Sequence, residues 1–282
     1  MVESRTAEAP LLNSVLHPSD FSATSEDAFA HALALVLAHG AEFTILHTGE
    51  ARNDWRNFPA VRATLERWGV LEAGSPRSAV FEQLAVRVKK VTLKSHRPLE
   101  SILEYLRQHP MDLIVLATAG RTGLPRWLHP SMAERIAQRS ATQTLFIPDH
   151  ARGFVSRQDG KLSIQRILVP VDHRPGPLPA VACTARLAGT LAAPVEIILL
   201  HIGDSLQLPA SLLPGIAGCT WRQEHRRGDV VDTLLATARE YQVDLIAMTT
   251  AGAEGVLDAL RGSVTQQLLR QAPCPLLAIP GS

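Results

Sequence analysis

The chain has 282 residues and a formal charge of +1, which supplies no long-range basic field, so nucleic acid is not an expected partner. No stretch approaches the ~18 uninterrupted apolar residues of a membrane helix, and Met1-Val-Glu-Ser-Arg5 is not the basic start of a secretory leader. Three cysteines (Cys183, Cys219, Cys274) without any C-x-x-C spacing argue against a disulfide framework and suit a reducing cytoplasm.

Ser14–Pro18 reads as a short apolar strand ending near Asp20. Ser22 suits an N-cap, Glu26 and Asp27 suit a first turn, and Phe29, Leu33 and Val36 form a helical stripe. Glu42–His47 is a second strand. Residues 50–90 then hold Trp55, Phe58, Trp68 and several arginines, with Val61, Leu65 and Trp68 spaced as on an amphipathic helix. That helix either packs back on its own domain or forms a lid or partner surface. Leu99, Ile102, Leu103 and Leu106 mark the next helix, and the unbroken apolar run at 112–117 predicts a strand buried on both faces of a parallel sheet. A helix follows Ser131, with Met132 and Ile136 facing inward, and Gln143–Ile147 is the last strand of this half. Residues 149–163, with Gly153, Asp159 and Gly160, read as a polar hinge.

The pattern then repeats. Arg166–Val171, Val195–His201, the run at 244–249 and Pro275–Ile279 are strands, and Val231, Leu234, Leu235 and Ala238 keep the spacing of the helix at Leu99. Asp112 and Asp244, Gly120 and Gly252, Ser131 and Ser263, and Pro148 and Pro280 each stand 132 residues apart (244 − 112, 280 − 148). Pro18 and Pro170, with Asp20 and Asp172, stand 152 apart, so the first half carries an insertion within residues 50–90. A fixed offset across strand, loop and helix marks an internal repeat. The expectation is an α/β fold of two tandem, doubly wound, parallel five-stranded sheets. The domains are 1–149 and 164–282, joined by a linker at 150–163.

Such sheets hold ligands at the carboxyl ends of the strands, where strand order reverses. Asp20, Gly120 and Ser131 fall there in the first half, and Asp172, Gly252, Gly262 and Ser263 in the second. Glycine admits backbone close to a phosphate, a helix N-terminus offers free N–H groups, and an aspartate can accept from an adenine amino group or a ribose hydroxyl. The same residues also serve as turn glycines and a capping serine.

In these segments the chain resembles the universal stress protein family in its tandem form. The family's nucleotide-binding members carry Gly-x2-Gly-x9-Gly-Ser/Thr after the fourth strand and an aspartate after the first. The second half reads Thr249-x2-Gly252-x9-Gly262-Ser263, and the first reads Ala117-x2-Gly120-x9-Pro130-Ser131. The resemblance implies a Rossmann-like, adenine nucleotide alpha hydrolase-like fold. It also implies an ATP or ADP site, with Mg, in the second half at Asp172, Thr249, Gly252, Arg261, Gly262 and Ser263. The weaker counterpart in the first half is Asp20, Gly120 and Ser131, where Pro130 removes an N–H from the loop. The alternative is a stress-response scaffold with decayed crevices, acting by protein contacts. The resemblance further implies that Gln143–Ile147 meets Pro275–Ile279 in a pseudo-twofold pairing within the chain, and that two such units form a homodimer.

No Gly-x4-Gly-Lys-Ser/Thr and no Gly-x-Ser-x-Gly occurs, so no catalytic residue is assigned and any ATP turnover is expected to be slow and incidental. His17, His47, His173 and His201 lie near strand ends without the spacing of a zinc site, and read as structural or surface residues. Arg121 and Arg126 are loop cations, and His225-Arg226-Arg227 is a basic run too short for nucleic acid.

Overall fold

Runs of consecutive apolar residues become strands that are buried on both faces. The computed structural model describes residues 12–49, 57–118, 130–173, 175–191, 193–204, 213–250 and 264–281. The first half runs β1 (Ser14–Pro18), α1 (Ala23–His39), β2 (Glu42–Thr48), α2 (Val61–Arg67), α3 (Ala79–Glu82), β3 (Val88–Leu93), α4 (Pro98–Gln108), β4 (Leu113–Thr118), α5 (Pro130–Ser140) and β5 (Gln143–Pro148). The second runs β6 (Arg166–Pro170), α6 (Leu178–Thr190), β7 (Val195–Ile202), β8 (Cys219–Arg226), α7 (Val230–Glu240), β9 (Leu245–Thr250), α8 (Val264–Gln271) and β10 (Leu276–Pro280).

The ten strands form one sheet in the order β3-β2-β1-β4-β5-β10-β9-β6-β7-β8. Within each half all pairings are parallel, and the order reverses beside β1 and again beside β6. The halves meet through β5 and β10, which run antiparallel with Phe146 opposite Leu276, Leu145 opposite Leu277 and Thr144 opposite Ala278. The two expected five-stranded sheets are therefore continuous, and the strands that join them are those the family resemblance implied.

Helices cover both faces, as double winding requires. One core layer joins α1 and α6 with the insertion residues Phe58, Val61, Leu65 and Trp68. The other joins α4, α5, α7 and α8. α1 begins at Ser22, whose side chain accepts from Ser25 N–H, and ends at Gly40, which takes the left-handed conformation (φ 64°). Residues Ala28 to Val36 of α1 are all buried, not merely the stripe through Phe29, Leu33 and Val36. The insertion and the linker cover its far side.

Residues 150–163 are anchored rather than loose. Val155 bridges Leu162, and Phe154 and Val155 are buried. Phe154 N–H donates to His31 Nε2 at 3.1 Å, Trp68 Nε1–H donates to the Arg157 carbonyl at 3.1 Å, and Arg157 pairs with Asp27 at 3.4 Å. On the other side Arg152 pairs with Asp244. The polar composition that suggested a hinge serves instead to tie the linker to both halves.

Candidate functional site

Each aspartate before the fourth strand of a half tethers that half's first strand. Asp112 Oδ2 accepts from the N–H groups of Asn13 (2.7 Å) and Ser14 (3.1 Å), and Asp244 Oδ2 accepts from Gln165 (2.7 Å) and Arg166 (3.0 Å). These clamps hold β1 against β4 and β6 against β9 at their amino ends, so the crevices at the opposite ends have defined walls. A second repeated contact lies at the crevice end. His47 Nδ1–H donates to the Ser19 carbonyl at 2.8 Å, and His201 Nδ1–H donates to the Val171 carbonyl at 3.0 Å. A carbonyl oxygen only accepts, so Nδ1 carries the proton in both rings. The strand-end histidines lock each first strand to its neighbour. Both kinds of tether escaped the sequence reading, in which Asp112 and Asp244 served only as markers of the repeat.

The two crevices differ. In the first, the Asp20 carboxylate is already engaged, with Oδ1 accepting from Ser22 N–H at 3.0 Å and Ser22 Oγ–H at 2.6 Å. The next residue, Phe21, has φ 62°, an outlying backbone for a bulky side chain. Its ring stacks on His47 (centroids 4.1 Å apart) and meets Phe58 edge-on at 5.2 Å. Phe58 comes from the insertion, so the insertion reaches the mouth of the first crevice and packs its own aromatic ring there. At the ends of β2 and β4 the hydroxyls of Thr48 and Thr118 are buried, with no hydrogen-bond partner among the described residues. Beneath lies a polar chain. His17 Nδ1–H donates to the Val115 carbonyl at 3.0 Å, which leaves Nε2 to accept from Ser25 Oγ–H at 3.2 Å, and Ser25 Oγ lies 3.0 Å from Ser19 Oγ. Burial pushes the His17 pKa down to about 4 against the opposing pull of the Val115 carbonyl and Asp20. Ser25, His17 and Ser19 are all buried, so this pairing is a structural network and not a nucleophile at a surface.

In the second crevice Asp172 is exposed at the carboxyl end of β6, its Oδ1 accepting from the adjacent His173 N–H at 2.6 Å. Thr249 is buried, and its hydroxyl accepts from Ala180 N–H in the first turn of α6 at 3.3 Å. The side chain that replaces the motif's first glycine is thus spent on a neighbouring helix. Thr250, the counterpart of Thr118, donates to the Ile279 carbonyl at 3.2 Å. Ser131 lies in the first turn of α5, which Pro130 opens as its fixed φ suits. Gly120, Gly252, Arg261, Gly262 and Ser263 lie outside the described residues, as do Arg121, Arg126 and Trp55. The described part of each site is therefore its strand-end wall. Among the described residues the acceptor carboxylate of this wall is exposed in the second half and engaged by Ser22 in the first.

The histidines do not gather into a metal site among the described residues. Arg226 of the basic run is held by Glu240 through two contacts, of 2.7 and 2.9 Å. No helix among the described residues is long and apolar enough to cross a membrane.

Comparison with known proteins agrees with this geometry. The model of the Universal stress protein family matches residues 12–148 and 212–280. The intervening segment, with Asp172, takes its place through the pairing of β6 with β7 and β9. Among solved structures, the chain is similar to a universal stress protein from Archaeoglobus fulgidus, at 16% identity and a TM-score of 0.64, covering 97% of this chain and 98% of that one. It is also similar to a functionally unknown protein from Pseudomonas aeruginosa PAO1 (14% identity, TM-score 0.58, covering 96% and 93%). A putative universal stress protein from Pseudomonas aeruginosa UCBPP-PA14 follows at 15% identity and a TM-score of 0.56, covering 95% and 93%. No curated protein matches. With the family model covering most of the chain, and with two crevices built on one repeated strand order, the chain belongs to the universal stress protein family.

Proposed function

We propose that this chain is a cytoplasmic stress-response protein that binds an adenine nucleotide in its second half and acts through occupancy of that site. The observation that carries the reading is the contrast between the two aspartates. Asp172 presents an exposed carboxylate at the point of strand reversal, whereas Asp20 is engaged by Ser22 and is followed by Phe21, whose ring stacks on His47. In this reading Asp172 accepts from the adenine or ribose, and Gly252, Arg261, Gly262 and Ser263 meet the phosphates of ATP or ADP with Mg. Binding stabilises the fold by about 2.7 kcal/mol at a hundredfold excess over Kd, and partners read the stabilised surface. No covalent chemistry is assigned to the chain.

The test is a thermal-unfolding titration with ATP–Mg, ADP and AMP on the wild type, Gly262→Asp, Asp172→Ala and Asp20→Ala. A saturating rise in Tm that survives Asp20→Ala and is lost in the other two supports the reading. No rise at millimolar nucleotide sinks it and leaves the scaffold reading, which the aromatic filling of the first crevice favours for that half. A rise lost only in Asp20→Ala would move the site to the first half, where the buried hydroxyls of Thr48 and Thr118 have no partner among the described residues.

A further inference from the structure

The insertion bounds a further concave space, which touches the mouth of the first crevice only through Phe58. It has a volume of about 770 Å³ and lies between α2, α3 and the edge strand β3. Val61, Val80, Phe81, Val86 and Val88 give it apolar walls. Its charged lining is entirely basic: Arg62, Arg77, Arg87 and Lys90, with no carboxylate among the lining residues. A volume within the ~300–1,000 Å³ range, apolar walls and a few convergent polar groups are the usual attributes of a small-molecule site.

The carboxylates beside Arg62 and Arg87 hold them weakly. Glu66 lies 3.4 Å from Arg62 and Glu42 lies 3.5 Å from Arg87, both with solvent-exposed arginines, and such pairs hold little energy. Lys90 has no ion pair among the described residues, and its ammonium lies 5.7 Å above the Phe58 ring. Burial and the neighbouring Arg77 guanidinium hold its pKa below the usual lysine value. Like charges gathered over apolar walls draw an anion whose remainder is apolar. Phe81, at 53% exposure, leaves a large apolar ring uncovered at the same cavity, with Arg87 5.5 Å above it.

We propose that this cavity binds a small amphipathic anion, a single-chain monocarboxylate whose apolar tail lies along Val61, Val80 and Val88 and whose carboxylate faces Lys90. The site is independent of the nucleotide reading, because that reading lies in the second half and every wall of this cavity, including the Phe58 it shares with the mouth of the first crevice, belongs to the first.

Isothermal titration of the full chain with dodecanoate, and separately with dodecyltrimethylammonium, tests it. The expected result is saturable one-to-one binding of the anion and none of the cation. Lys90→Glu should weaken the anion about tenfold or more, and Phe81→Ala should weaken it about threefold. Both positions are exposed, and the melting curve of each variant checks that it folds. Absence of saturable binding up to ~1 mM dodecanoate overturns the proposal. So does equal binding of the cation, or unchanged affinity in both variants.

Discussion

Leu145 and Leu277, which stand 132 residues apart in the repeat, lie directly opposite each other across the β5–β10 junction. The local twofold axis therefore passes through this pair, and each leucine meets its own counterpart. Their neighbours follow the same symmetry, with Phe146 opposite Leu276 and Thr144 opposite Ala278. Directly opposed residues of an antiparallel pair share one face, and both leucines belong to the layer under α1 and α6. They also line a cavity of about 30 Å³ with Leu35, Phe154 and Leu187. The junction is thus a core, built from the two halves as an isologous interface would be.

Truncation at the axis should cost the whole molecule. Leu145 and Leu277 are 2% and 6% exposed, so Leu145→Ala or Leu277→Ala should each lower unfolding free energy by about 2–5 kcal/mol. Urea unfolding followed by far-UV circular dichroism and by tryptophan fluorescence should keep coincident midpoints. A loss below about 1 kcal/mol, or two separated transitions in the wild type, would show that the halves do not share this core.

The aspartate clamps differ in one partner, and the difference is measurable. Asp244 accepts two backbone N–H groups and also the Arg152 guanidinium, whereas Asp112 accepts from Asn13 and Ser14. Replacing either by Ala strands N–H donors, those of Ser14, Gln165 and Arg166 part-buried and that of Asn13 exposed, and should cost about 1–3 kcal/mol. Asp244→Ala should cost more than Asp112→Ala because Asp244 is buried whereas Asp112 is half-buried with one exposed donor, and Arg152→Ala alone should cost little because that side chain is largely exposed. Denaturant midpoints of the three variants decide the order, and equal losses for all three would contradict it.

The parts legible in the sequence were those with unbroken or strictly periodic apolar residues. The strands around Val115 and Ile246 and the helix through Leu99 and Leu106 are buried as their patterns indicate. So is the insertion helix at Val61, Leu65 and Trp68, which packs back on its own domain. β3 and β8 escaped, because an edge strand is covered on one side and carries polar residues, as in Val88-Lys-Lys-Val-Thr-Leu93 and Cys219-Thr-Trp-Arg-Gln-Glu-His-Arg226. At the candidate site the spacing of Asp20 and Asp172 was readable, yet the inequality between them was not. That inequality depends on Ser22 turning back to Asp20 and on Phe58 arriving from 37 residues away (58 − 21) to pack on Phe21. The first is a short turn of Asp-x-Ser type that a local pattern allows but does not require, and the second is encoded in no local pattern.

Stability should fall in mild acid through two buried histidines. His31 donates from Nδ1 to the Asp27 carbonyl at 2.7 Å and accepts at Nε2 from Phe154 N–H, so its neutral form is the one the fold holds. Burial pushes His31, like His17, from 6.5 down to about 4. Between these values the unfolded chain takes up protons that the native state refuses, so stability rises with pH across the window. The contribution is complete above pH 6.5 and is lost as pH falls towards 4, by at most roughly 3 kcal/mol for each ring. Unfolding free energies measured from pH 7 to 4.5 should slope upward, and the slope should flatten in His17→Gln/His31→Gln. An unchanged slope in that double variant would assign the acid sensitivity to carboxylates instead.

The linker should be most sensitive where it meets the insertion. Gly160 has φ +70°, and a Cβ added there would lie 2.3 Å from Trp68 Cε3, closer than any ring can tolerate. Trp68 is itself fixed, buried in the first core and donating to the Arg157 carbonyl at 3.1 Å. Gly160→Ala therefore imposes a left-handed backbone on a Cβ-bearing residue and drives it against a ring that cannot withdraw. The cost should be at least about 1 kcal/mol, and it should appear together with faster hydrogen exchange at Phe154 N–H, whose bond to His31 depends on the same docked turn. Gly153→Ala should act similarly from the other side, because its Cβ would lie 2.5 Å from His31 Cε1. If Gly160→Ala unfolds like the wild type and leaves exchange at Phe154 unchanged, residues 150–163 are a free tether and the insertion has no hold on them.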